Sequence, residues 1–203
     1  METSQTSTRR DERQESACRL YLYGVPGVGK THLARRLSAQ TDAGLFEADA
    51  LRDLAMSQAA GPHDPALDRG TTEAYRLYGA PNPENILRGL TDVRAALSPW
   101  LVARLRDHPD AAITEAAFLE PASLLAWGQP CLLCCSRLRQ HARRFFRHRP
   151  WRFSSLRSFW VARRLQSLLL TEAHRLGIPV VCTADERSAL ARLKSLLRTD
   201  LGR

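Results

Sequence analysis

"YLYGVPGVGKTHLARRL", residues 21–37, decides how the rest of the chain is read. Gly24, Gly29, Lys30 and Thr31 meet the spacing G-x-x-x-x-G-K-[ST], a loop whose backbone amides cradle phosphates. The motif has the context it needs. Leu20 to Tyr23 is apolar and aromatic and predicts a buried strand, while Leu33, Ala34 and Leu37 recur at helical spacing. Glycines let the backbone wrap closely with N–H groups pointing inward, and the helix N-terminus adds partial positive charge. The candidate cradle is Gly24, Val25, Pro26, Gly27, Val28, Gly29, Lys30, Thr31 and His32. Thr31 would offer its hydroxyl to Mg²⁺. A dinucleotide fingerprint starting at Gly27 needs glycine at position 32, where His32 stands.

The lysine carries a second signal. Of 30 basic residues only Lys30 and Lys194 are lysine, and the other 28 are arginine. A lysine that persists against such a bias marks a place where a compact ammonium fits and a planar guanidinium does not.

The 203 residues predict one domain, over 17–203, of the α/β class. Strands are expected near 19–23, 45–48, 111–118, 130–136 and 177–183, and helices near 30–40, from 49 onward, 71–79, 84–107, 137–176 and 185–199. Residues 57–70, rich in Gly, Pro and Asp, read as a loop. Alternating strands and helices imply a three-layer sandwich around a parallel sheet of about five strands. Residues 1–16 are polar, lack the apolar core of a signal peptide and read as a disordered tail. No apolar run reaches the ~18 residues of a membrane span, so a cytoplasmic protein is expected. Cys131, Cys134 and Cys135 in "CLLCCS" have no second Cys/His pair at zinc spacing and read as buried structural thiols.

Ligands of open α/β sheets lie beyond the carboxyl ends of the strands. Asp49 and Arg52, at the end of the second strand, are therefore expected to face the loop. Asp49 could take a proton from an acceptor hydroxyl or hold Mg²⁺ through water; it is also a good helix N-cap. Arg52 could grip an anion. Glu115, ending "AAITE", stands where a second acid approaches the Mg²⁺. The metal candidates are thus Thr31, Asp49 and Glu115.

From Pro121 to Thr171 there is no acidic residue but ten arginines, among them Arg144 and Arg147. Three readings stand: a basic helical lid at about 137–165 closing over phosphates, a nucleic-acid groove with stacking aromatics such as Phe145, Phe146 and Trp151, or a solvated face.

Several segments resemble the 2-phosphoglycerate kinase group of small P-loop kinases: the loop itself, "ADALR" at 48–52, "EAYRLYGAPNPENILRG" at 73–89, "HARRF" at 141–145 and "EAHRLGIPVVCT" at 172–183. The resemblance implies transfer of the ATP γ-phosphate to a hydroxyl of a small phosphorylated acid. Lys30 and Thr31 would handle ATP and Mg²⁺, Asp49 and Arg52 would face the acceptor, and Arg144 would belong to the lid. Where that group tends to have Glu-Gly-x-His, this chain reads "EAAF", with Ala116 and Phe118 substituted. The expectation is an ATP- and Mg²⁺-dependent kinase with a small anionic acceptor. The alternatives are a polynucleotide 5′-hydroxyl kinase and a non-enzymatic nucleotide-dependent nucleic-acid-binding ATPase.

Overall fold

The computed structural model describes residues 19–58, 64–147 and 153–199. The expected tail at 1–16, and His148 to Arg152 with Arg149 and Trp151, lie outside them. The elements run β1 (Leu20–Tyr23), α1 (Lys30–Thr41), β2 (Leu45–Glu47), a 3₁₀ turn (Ala48–Ala50), α2 (Leu51–Gln58), α3 (Pro65–Arg69), a second 3₁₀ turn (Ala74–Leu77), α4 (Pro83–Asp107), β3 (Ile113–Ala116), α5 (Pro121–Leu124), β4 (Gln129–Cys134), α6 (Leu138–Phe146), α7 (Phe153–Arg175), β5 (Val180–Cys182) and α8 (Glu186–Thr199).

All five strands pair in parallel, in the order β2-β3-β1-β4-β5. The central strand β1 is fully buried, which explains its unbroken apolar run. The chain leaves β1 toward β2 and β3 on one side and β4 and β5 on the other. The sheet therefore changes direction at β1, and the crevice at its carboxyl end is where such sheets bind ligands. Register sets Leu22 beside Glu115 and Cys131, so these three side chains share one face of the sheet. That is the face of α1, because Thr31 reaches Glu115.

Two expectations for secondary structure change. Residues 57–70 are not all loop: Asp64 caps α3 by accepting from the Ala66 amide at 2.8 Å, and Pro65 occupies its first turn. The Asp-Pro pair is a helix start in a stretch that reads as turn-rich. The expected helix at 71–79 is only the 3₁₀ turn Ala74–Leu77. The "PNPENILRG" segment opens α4: Asn82 accepts from the Asn85 amide at 2.8 Å, with Pro83 in the first turn. Gly89 is a close approach, since a Cβ there would stand 2.5 Å from the backbone nitrogen of Tyr75. This stretch is explained by the seating of α4 on the preceding turn. Among the described residues, no helix is long and apolar enough to cross a membrane.

Candidate active site

The loop between β1 and α1 bends as its glycines allow. Gly27 has φ 82°, and a Cβ on it would stand 2.9 Å from the Cα of Phe145. Gly29 caps α1 in the left-handed region without any side-chain hydrogen bond to the helix. The first turn of α1 carries no acidic residue, so its amides are left for an anion. Val25 and Val28 anchor the loop in the core.

Four of the expected side chains meet in front of this loop. Lys30 is buried, with Nζ 3.8 Å from Oδ2 of Asp49. Thr31 donates its hydroxyl to Oε1 of Glu115 at 2.9 Å. Asp49 lies in the 3₁₀ turn after β2, and its Oδ1 accepts from the Ala117 amide at 2.8 Å, just past the end of β3. The carboxylate therefore ties two strand ends together and does not cap α2. Glu115 is buried, and among the described residues its Oε2 has no hydrogen-bond partner. Burial pushes its pKa above the ordinary value of 4.5; Lys30 and the Thr31 hydroxyl pull it back, while Asp49 adds to the rise. A buried carboxylate oxygen with no donor, beside a threonine hydroxyl and an open helix N-terminus, suits a hard cation. The described residues hold no group of three or more His, Cys, Asp or Glu able to bind a metal. Mg²⁺ would then take most of its ligands from phosphates and water, as it commonly does.

Residues 20–79 match the family described as "ATPase family associated with various cellular activities (AAA)". That match spans β1, the loop, α1 and the elements through the second 3₁₀ turn. The fold is that of the P-loop kinases. The structure is similar to shikimate kinase from Bacteroides thetaiotaomicron at 14% identity, covering 89% of this chain and 98% of that one, with a TM-score of 0.54. Shikimate kinase from Acinetobacter baumannii in complex with shikimate is matched at 16% identity, over 94% and 98% of the two chains, also with a TM-score of 0.54. No curated protein matches the sequence.

The remaining expected residues stand elsewhere than in front of the loop. His32 is exposed and its Nε2 lies 3.2 Å from Glu186 of α8, so only its backbone belongs to the cradle. Arg52 spends Nε and Nη2 on the carbonyls of Leu67 and Asp68, at 2.5 and 2.9 Å, at the C-terminal end of α3. Its Nη1 makes no hydrogen bond among the described residues. Arg144 donates Nη1 to the Val28 carbonyl at 3.1 Å and to the Thr183 hydroxyl at 3.0 Å, and Nη2 to the Thr183 carbonyl at 3.2 Å. Arg147 is exposed at the end of α6.

These contacts place the described part of the expected lid against the loop. The helix α6 is seated on the back of the loop. A loop whose amides point inward must turn carbonyls outward, and α6 and Thr183 take them up. Thr183 donates to the Val28 carbonyl at 2.6 Å. His141, fully buried, sits with Nε2 2.9 Å from the Pro26 carbonyl and Nδ1 3.5 Å from Arg163. A carbonyl on one nitrogen and a guanidinium on the other fix a neutral imidazole with its proton on Nε2. Burial holds its pKa below 6.5, and Arg163 and Arg144 add to the lowering against the Pro26 bond. Phe145 packs edge-on against Phe146 and Phe159 in the core, and those two are tilted to each other, with centroids 5.3 to 5.5 Å apart. They cannot serve as a stacking surface. Arg137, Arg139, Arg143, Arg147, Arg157 and Arg164 are exposed. His141 and Thr183 bond the loop carbonyls and were not among the expected site residues, although both fall in segments that carried the resemblance.

Proposed function

We propose that this chain is an ATP- and Mg²⁺-dependent kinase that phosphorylates a hydroxyl of a small anionic metabolite. The observation that carries the reading is the pair Thr31–Glu115, with its unpartnered buried oxygen, beside the uncapped N-terminus of α1. The fold shared with shikimate kinases, one of them with shikimate bound, agrees with a small acceptor. So does the resemblance to the 2-phosphoglycerate kinase group.

Lys30 and the loop amides hold the β- and γ-phosphates. Thr31 and Glu115 would hold the Mg²⁺, which supplies charge neutralisation across those phosphates. Asp49 stands on the acceptor side, 3.8 Å from the Lys30 ammonium, and receives the acceptor's proton as the hydroxyl oxygen bonds to the γ-phosphorus. The bond from that phosphorus to the bridging oxygen breaks, and ADP leaves. Catalysis of this kind is mostly positioning and electrostatics.

The test is ATP consumption across phosphorylated acids, hydroxy acids, sugars, nucleosides and oligonucleotide 5′ ends, with Lys30→Ala as the control. Consumption that depends on a small anionic acceptor is expected. Consumption with oligonucleotide ends alone would transfer the proposal to a polynucleotide kinase.

A further inference from the structure

The described thiols include a pair that the C-x-x-C spacing does not reveal. Cys131 and Cys134 lie three apart on β4, and strand alternation sends them to opposite faces. The structural partner of Cys134 is Cys182, on the neighbouring strand β5. The two are in register across the parallel pair of strands, so their side chains lie on the same face of the sheet. Adjacent strands run about 4.8 Å apart, inside the roughly 4.4–6.8 Å Cα separation that a disulfide spans. Cys134 is buried and Cys182 is exposed. The Ser136 hydroxyl lies 3.3 Å from the Cys182 sulfur.

We propose that Cys134 and Cys182 form an oxidation site, a dithiol that closes to a disulfide with hydroperoxides and thereby loosens the grip on nucleotide. Cys182 reacts first. Burial pushes its thiol up, but the Ser136 hydroxyl and the amides of Ala184 and Ser136 more than offset this and hold it below the ordinary 9.0. Burial instead lifts Cys134 to about 11, which keeps it a thiol until its partner is oxidised. The Cys182 thiolate attacks one peroxide oxygen, the O–O bond breaks, and one water or alcohol leaves. The Cys134 sulfur then displaces hydroxide from the resulting sulfenic acid. Its proton leaves with that hydroxide as water, and the S–S bond forms. Each sulfur loses one electron, and the peroxide takes both.

The link to the nucleotide site is the next residue. The Thr183 amide donates to the Cys134 carbonyl at 2.8 Å, and the Thr183 hydroxyl donates to the Val28 carbonyl of the phosphate loop at 2.6 Å. Arg144 grips the same threonine. Drawing Cys182 onto Cys134 shifts Thr183 and slackens the hold on the back of the loop. The cross-link stands on the register of β4 and β5 and on the surroundings of the two thiols; its effect on nucleotide rests on the kinase reading.

The full chain is titrated with hydrogen peroxide, mapped by mass spectrometry after alkylation, and assayed for Mg·ATP binding before and after. The expected result is a loss of two hydrogens in one Cys134–Cys182 cross-linked peptide. ATP affinity should fall by about fivefold or more and return with dithiothreitol. Cys182→Ser and Cys134→Ser should each abolish both changes, and Cys135→Ser should keep them. Sulfinic acid at Cys182 with no cross-link overturns the proposal. A cross-link with unchanged ATP affinity overturns the coupling. Reduced protein that fails to bind ATP counts against the kinase reading and takes the coupling with it, while the peptide map still decides the cross-link.

Discussion

The phosphate loop has two sides, and they are held in opposite ways. In front, charged groups meet: Lys30 faces Asp49, and Thr31 donates to a buried carboxylate whose other oxygen has no partner among the described residues. Behind, carbonyls of the loop already have donors from α6 and from Thr183. The Pro26 carbonyl meets a neutral His141, and the Val28 carbonyl meets Thr183 and Arg144. Among the described residues, the front keeps a buried carboxylate oxygen without a partner and suits a ligand, while the back carries hydrogen bonds to loop carbonyls. Arg144 shows how the two are confused in a sequence. It sits in a basic run of the kind that closes over phosphates, yet its guanidinium serves backbone carbonyls.

The comparison breaks first at Lys30. Lys30→Ala is expected to lower kcat by on the order of 10² or more, and Lys30→Arg nearly as much, because the wider cation does not enter the cradle. Turnover near that of the wild type in the arginine variant would overturn this account of the front.

Removing a support from the back should act differently. Arg144→Ala loses three hydrogen bonds from a half-buried cation and is expected to destabilise the fold by about 1–3 kcal/mol. It should raise KM for ATP more than it lowers kcat. A collapse of kcat with unchanged stability would return Arg144 to the transferring phosphate.

The two sides should also titrate with opposite sign. Glu115 binds its proton more tightly in the folded protein than in the unfolded chain. Its contribution is therefore complete below 4.5 and is lost as pH rises through the raised folded value. His141 gives up its proton sooner when folded, so its contribution is complete above 6.5 and is lost as pH falls toward the lowered folded value. Denaturant midpoints against pH, with nucleotide absent, should show Glu115→Gln removing the first slope and His141→Gln the second. If neither variant alters its slope, these two groups do not set the pH response.

The smallest effect belongs to Arg147. Arg147→Ala should change stability by less than about 0.5 kcal/mol, as exposed substitutions usually do. Its turnover is expected to match the wild type, and a strong loss would revive a closing role for the end of α6.

What was legible in the sequence follows from the range of the forces involved. The five strands, the loop and the choice of Thr31, Asp49 and Glu115 as a group near one site rest on local pattern plus one rule about strand ends. The helix α3 was missed because its Asp64-Pro65 start lies among turn residues. The back of the loop was missed because no spacing reveals that α6 sits on Gly27, where a Cβ would touch Phe145. Cys182 was missed for the same reason: parallel pairing brings it to Cys134 across 48 residues of chain, counted from their positions.

The account stands most directly on where the γ-phosphate goes. Phosphorus NMR of wild-type protein with Mg·ATP and a mixture of small phosphorylated and hydroxy acids should show ADP and a new phosphomonoester growing together, both absent with Lys30→Ala. Inorganic phosphate alone in every mixture, or a phosphomonoester only when oligonucleotide 5′ ends are supplied, would contradict it.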